Sequence, residues 1–313
     1  MQTAMAYLGV ILIWSTTPLA MKWSTEDVGF LFGLIARMGI GTAIALLYCC
    51  LSQKRLPLDH KALKTYVASG TSSYLAMSLA YWGSQYIPSG WVSVIYGLAP
   101  ILTSLIASRF LGERNTGLIK TGGLLLSLAG LWCMFRHSLE PDNAEAYGIM
   151  AVIAGMVFYS LSILAVKQIN ADITPISILT GTSVVALLLF LATWLIGGYH
   201  APSTIPLRSA GAILYLGIVG SVLASLLFFY VLQRVEATRA ALITLITPGN
   251  ALLLGHVLNN EPLNRDTVVG TALVVGGLLL FQYDRRLGMA GIRLFYKSRW
   301  DKLTVAVKPA QAD

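Results

Sequence analysis

Few side chains in this 313-residue sequence could do chemistry, and their types limit what that chemistry is. Arg37, in the stretch LIARMGIG, sits about nine residues inside an apolar run. At 1.5 Å per residue that is roughly 13 Å from the run's end. A guanidinium so deep in hydrocarbon costs at least about 2.5 kcal/mol unless it faces a cavity or a partner. Facing a cavity, it would attract a carboxylate or another acceptor; otherwise it caps a helix end or bonds backbone carbonyls. His256, two or three residues from the end of a later run, could titrate near neutral pH and report or carry protons. Equally, it could be an interfacial histidine bonded to Asn259 or Asn260. Trp14 lies mid-run beside Ser15, and Tyr159 beside Ser160; Tyr81, Tyr96 and Asn250 also fall in apolar runs. Aromatic walls with a few polar groups are the makeup of a small-molecule site, although ordinary helix packing uses the same residues. Pro100 and Pro248 stand near the middle of their runs, and a proline there frees one backbone carbonyl.

Other chemistries lack their residues. All 14 carboxylates fall in loops, near run ends or in the C-terminal tail. A cationic substrate would have no counter-charge in mid-membrane, and proton exchange through a buried carboxylate is disfavoured. There is no GxxxxGK[ST] phosphate loop, no HExxH and no Cys/His cluster at metal spacing, so no cofactor or metal is expected. The three cysteines, two of them adjacent, give no disulfide framework.

The elements that must position these residues follow from composition. Apolar residues make up 56% of the chain and charged residues only 12%, against roughly 25% charged in a soluble domain. The apolar residues come in blocks of about twenty, the length that crosses a bilayer as a helix. Ten spans are predicted, at about 4–22, 28–51, 65–85, 89–111, 117–136, 146–166, 174–197, 209–231, 238–258 and 267–283. The class is an all-α membrane protein with short connections. The net charge of +8 does not point to nucleic acid, because its placement is that of a topology signal. With a cytoplasmic N-terminus, 17 Lys and Arg residues fall inside and four outside, so both termini are expected in the cytoplasm. The tail, 284–313, reads either as an amphipathic helix on an anionic leaflet or as a disordered basic segment.

The chain also repeats itself. PILTSLIASRFLGERNTGLIKTGG, from Pro100, aligns without a gap on PGNALLLGHVLNNEPLNRDTVVGT, from Pro248. Glu113 meets Glu261 and Gly122 meets Gly270, an offset of 148. IWSTTPLAMKW, from Ile13, aligns on FYSLSILAVKQ, from Phe158, matching Ser15 with Ser160 and Lys22 with Lys167 at an offset of 145. Each unit therefore holds five spans, 4–136 and 146–283. An odd number of crossings inverts the second unit, which predicts two inverted five-helix repeats around a midplane site, as in secondary transporters. Gly123 and Gly130, like Gly270 and Gly277, are seven apart and mark a stripe for close packing, within the scaffold or between subunits.

Ten spans as five plus five, the Trp14-Ser15 pair, a mid-span proline followed by FLGER, and a glycine-bearing fifth helix resemble the EamA-like branch of the drug/metabolite transporter superfamily. The second half keeps the carboxylate but writes NNEP for the usual pattern around it. The resemblance implies a small-molecule transporter, often an exporter, with a cavity lined by spans one to four and six to nine. The expected function is secondary transport of metabolites such as amino acids out across a bacterial inner membrane. Efflux of drug-like aromatic compounds, or a non-transporting membrane subunit whose tail recruits a partner, remain alternatives. The expected partners are a small-molecule substrate and the lipid bilayer, with the chain a monomer or a homodimer.

Overall fold

In a computed structural model the described residues are 2–52, 56–110, 117–138, 143–232, 234–235 and 242–282. Glu113 and the tail, 284–313, lie outside them. Among the described residues every regular element is a helix: α1 Gln2–Trp23, α2 Phe30–Leu51, α3 His60–Gly83, α4 Ser89–Gly97, α5 Ala99–Phe110, α6 Leu118–Phe135, α7 Ala144–Ile169 and α8 Pro175–Ile196. These are followed by α9 Leu207–Tyr215, a π-helical segment Leu216–Leu223, α10 Ala224–Leu232, α11 Ile243–Asn259 and α12 Arg265–Gln282. Eight candidate spans are long and apolar enough to cross a membrane. Of the other two predicted spans, α11 has 17 residues, and α3, with 24, is rich in Ser, Thr and Lys.

Local chemistry sets several boundaries. The Asp59 side chain accepts from the Ala62 N–H at the start of α3. The Asn143 side chain accepts from the Glu145 N–H at the start of α7, and the Thr174 hydroxyl accepts from the Ser177 N–H, with Pro175 opening α8. Asn170 and Asn260, both left-handed, close α7 and α11, a conformation asparagine adopts more readily than other non-glycine residues.

The two mid-span prolines differ in effect. Span four breaks: α4 ends at Gly97, Leu98 forms a turn and α5 starts at Ala99, so Pro100 falls in a first turn, where its missing N–H costs nothing. The Leu98 carbonyl takes both the Ile101 and Leu102 N–H groups. Pro248 instead sits inside continuous α11. Its ring packs on the break in span four: a Cβ on Gly97 would lie 3.3 Å from Pro248 Cγ.

Close approaches join the helices. α4 and α11 run antiparallel, since Gly90 meets Leu252 while Gly97 meets Pro248. α6 and α12 also run antiparallel, with Gly123 against Gly277 and Gly130 against Gly270. The glycine stripe is therefore spent within the chain. α3 packs on α7 and α8, α2 on α8 and the π segment, and α1 on α10 and α11. The main core, which includes Leu34, Tyr81, Ile95, Phe190, Leu216 and Leu278, lies among these helices.

A Cβ at Gly130 would come within 2.6 Å of the Gly270 carbonyl oxygen and 2.8 Å of the Val274 nitrogen, whereas a Cβ at Gly122 would meet nothing within 4 Å. Gly130→Ala should therefore destabilise the protein by about 1–3 kcal/mol, an overpacking cost borne by backbone that cannot yield. Gly122→Ala should stay within about 0.5 kcal/mol of wild type. Thermal unfolding of the two purified variants in detergent checks the contrast, and equal midpoints would remove the backbone contact as its explanation.

Candidate functional site

The buried cation of α2 is held by hydroxyl groups. Arg37 is the eighth residue of α2 and 8% exposed. Its Nη1 donates to the Tyr81 hydroxyl on α3 at 3.0 Å, and its Nε donates to Ser221 Oγ on the π segment at 3.4 Å. The guanidinium also stands 5.9 Å from the centre of the Tyr81 ring. Tyr81 is fully buried. Among the described residues no carboxylate forms an ion pair with Arg37. A buried cation whose only counterparts are neutral hydroxyls retains strong attraction for an anionic acceptor, because hydroxyl dipoles offset its lost hydration only in part.

The π segment makes this arrangement possible. One widened turn lets Ser221 Oγ donate to the Leu216 carbonyl, five residues back, at 2.9 Å while its oxygen accepts from Arg37. Gly217 allows the approach, because a Cβ there would meet the Ile40 side chain at 2.8 Å and the Arg37 carbonyl oxygen at 3.2 Å. Single π turns inside α-helices recur at functional sites. Just before it, the Tyr215 hydroxyl is hydrogen-bonded to Thr16 Oγ1 on α1.

A second polar–aromatic group forms on α3, α4 and α7. The Tyr96 and Tyr159 rings are 5.8 Å apart, and the Tyr96 hydroxyl donates to the Ala76 carbonyl at 3.3 Å. Gly155 makes room, since a Cβ there would lie 2.9 Å from the Tyr96 hydroxyl. Tyr159 is 43% exposed. Nearby on the same helix pair, Ser162 bonds Ser73 at 3.2 Å and the Ser69 carbonyl at 3.2 Å.

The structure thus joins Arg37 to Tyr81, Tyr96 to Tyr159, and Pro248 to the break before Pro100. Others lie apart. Trp14 packs on Phe228 at 4.8 Å beside Val10, Val231 and Ile243. Ser15 is buried and spends its hydroxyl on the Ile11 carbonyl. Pro100 is exposed, and Asn250 is half-buried on α11. His256 is exposed at the end of α11, with Nδ1 2.8 Å from the Glu261 carbonyl oxygen rather than bonded to Asn259 or Asn260.

Sequence reasoning missed two features. Ser221 shows no signal, because nothing in LGIVGSVL announces a π turn. The second is a polar cluster around Glu261. This carboxylate is buried at the start of α4, where Oε2 accepts from the Ser89 N–H at 2.8 Å and the Ser89 hydroxyl at 2.9 Å. Oε1 accepts from Asn259 Nδ2 at 3.0 Å and lies 3.7 Å from Lys22 Nζ. The repeated glutamate was the available clue. Farther out, Asp266 hydrogen-bonds the Arg136 guanidinium at 2.8 Å and raises its pKa.

Comparisons with known proteins agree with this all-helical architecture. A family model described as the EamA-like transporter family matches residues 2–136 and 146–283. An uncharacterized transporter, YoaV, of Bacillus subtilis (strain 168) is 24% identical over 89% of this chain and 97% of its own length. The Salmonella typhimurium protein PagO is 23% identical over 90% of this chain and 93% of its own. A probable terminal-alkyne amino-acid exporter of Streptantibioticus cattleyicolor is 25% identical over 71% of this chain and 72% of its own. One crystal structure shares the fold at a TM-score of 0.62 and 20% identity, covering 91% of this chain and 98% of that one. With a family model matched along nearly the whole described length, the chain is a multi-pass membrane protein and belongs to the EamA-like transporter family.

Proposed function

We propose that the protein is a secondary transporter that exports small metabolites of the amino-acid class across a bacterial inner membrane by alternating access. The supporting observation is that close contacts exchange at a nearly constant shift of 147 residues, one short of the 148 of the ungapped alignment. Shifting by 147 residues turns Gly123 into Gly270 and Gly130 into Gly277, so the Gly123–Gly277 contact becomes Gly270–Gly130, which is also made. Gly70, close to Val185 and the Thr182 carbonyl, becomes Gly217, close to Ile40 and the Arg37 carbonyl, with both neighbours shifted by 145. Contacts that swap in this way, between antiparallel helices, support a reading of two halves, 4–136 and 146–283, related by an axis in the membrane plane. The remaining helices fit the same plan: α3 on α7 answers α1 on α10, and α3 on α8 answers α2 on the π segment. Ten spans with both termini and the basic 284–313 tail in the cytoplasm, in a monomer or a homodimer, complete the reading. Rocking of such halves about their shared centre is how inverted-repeat carriers alternate access.

Arg37 is the substrate-anchoring residue in this reading, with Tyr81 and Ser221 orienting it. Its counterpart, Thr182, carries no charge and bonds Ser69 at 2.6 Å. One half therefore offers a cation and the other hydroxyls, which suits a substrate with a carboxylate at one end. Tyr96, Tyr159, Pro100, Pro248 and Asn250 line the path beyond it, with Trp14 and Ser15 bracing α1. His256, outside the bundle centre, is the coupling candidate. The name of the Streptantibioticus relative favours amino acids as the class tested first.

Purified protein in liposomes should carry a radiolabelled amino acid down its gradient, saturably. Absence of flux for every amino acid tried would reject this substrate class. Arg37→Met should reduce that flux at least ten-fold while leaving the unfolding midpoint near wild type or higher, because replacing a buried charge by an apolar side chain is often neutral or stabilising. Tyr81→Phe, which strips the guanidinium of a partner, should instead cost about 1–3 kcal/mol of stability. An Arg37→Met protein that unfolds early yet still transports would make Arg37 a structural residue.

A further inference from the structure

The cluster around Glu261 ties together four elements at the end of the bundle where α1 finishes. Glu261 holds the first turn of α4 through Ser89, and Asn259, at the end of α11, is its neighbour. α1 reaches the pair by two polar side chains: Lys22 Nζ donates to the Ile87 carbonyl at 3.1 Å and lies 3.7 Å from Glu261 Oε1, and Trp23 Nε1 donates to Asn259 Oδ1 at 3.0 Å. α9 joins through Arg208, which donates to the same Asn259 oxygen at 3.0 Å, pairs with Glu26 at 3.3 Å and stacks 4.4 Å above the Trp23 ring.

The attachments within this end differ in kind. α4 and α11 are locked by close contact, Gly90 against Leu252 and Gly255 against the Ser89 hydroxyl. α1 and α9 hold on to that pair here through hydrogen bonds and ion pairs, with Lys22 25% exposed and the Arg208 and Glu26 side chains more so. Bonds of this type exchange for water at small net cost, whereas buried backbone contacts do not. The end therefore has a seam along which it can part. We propose that Lys22, Trp23 and Arg208, gathered on Glu261 and Asn259, form a latch that keeps this end of the transport pathway shut and lets go once per cycle. This rests on the transport reading above. In sequence the lysine and the glutamate of the latch both recur in the other half, as Lys167 and Glu113, which is what a carrier that closes each end in turn requires of its chain. These residues position the helices; none of them is assigned contact with substrate.

Two measurements test the latch, both in a background without Cys49, Cys50 and Cys133. In Trp23→Cys/Asn259→Cys, which leaves Lys22 and Glu261 in place, a short bifunctional methanethiosulfonate should join α1 to α11 and cut amino-acid flux at least ten-fold, with recovery on reduction. Flux that survives complete cross-linking overturns the latch. The second measurement needs no substrate. Ala20, buried one turn inside α1, becomes the reporter Ala20→Cys, probed with a membrane-impermeant maleimide from the side of this end. Glu261→Gln, which keeps the shape and loses the charge, should raise its labelling rate several-fold. An unchanged rate means a permanent cap and overturns the latch. Should wild type carry no amino acid at all, the substrate assignment falls while the labelling rate still decides the latch.

Discussion

Everything in this bundle depends on helices that approach one another backbone to backbone. In hydrocarbon no hydrophobic effect drives helices together, so association relies on close packing and on hydrogen bonds between side chains. The contacts across α6 and α12 use glycine opposite glycine, and those across α4 and α11 use glycine against leucine and proline. Because each of these pairs is antiparallel, one small-residue pattern can serve both partners. The glycines seven apart on α6 meet those seven apart on α12, running the opposite way.

Much of this was legible in the sequence. Apolar block length pointed to the helices, and the offsets of 148 and 145 to a repeat; the equivalent contacts of Gly70 and Gly217, 147 apart, match neither offset and needed the structure. Gly123 and Gly130 could be recognised as a packing stripe, but not their partner, because spacing on one helix does not say which other helix it meets. The prolines were half legible. Both lie in apolar runs, yet Pro100 starts a new helix after a break and Pro248 continues one, and the difference depends on tertiary packing around Gly97.

The site was harder to read than the scaffold. Arg37 stood out because a cation within an apolar block is costly and therefore conspicuous. Its partners did not, since tyrosine and serine are common in membrane helices and only the fold brings residue 81 and residue 221 to residue 37. The same limit hid the role of Glu261. A carboxylate in a loop reads as solvated, but this one is folded back beneath the first turn of α4, where unpaired N–H groups and the positive end of the helix dipole favour it.

The repeat and the chemistry part company in an instructive way. Some positions that set helix spacing recur: glycine faces glycine across α6 and α12, and Gly70 is answered by Gly217. Positions that carry charge in mid-bundle do not, for where one half has Arg37 the other has Thr182, bonded to Ser69. Under the transport reading proposed above, a carrier built from two inverted halves would need its moving surfaces alike, since each would open and close by the same geometry. It would have no such need at the centre, where both halves would grip one molecule together. A metabolite with a carboxylate at one end and a different group at the other has no two-fold axis of its own. The loss of symmetry at residue 37 is therefore the feature that an asymmetric substrate would require of an otherwise symmetric frame.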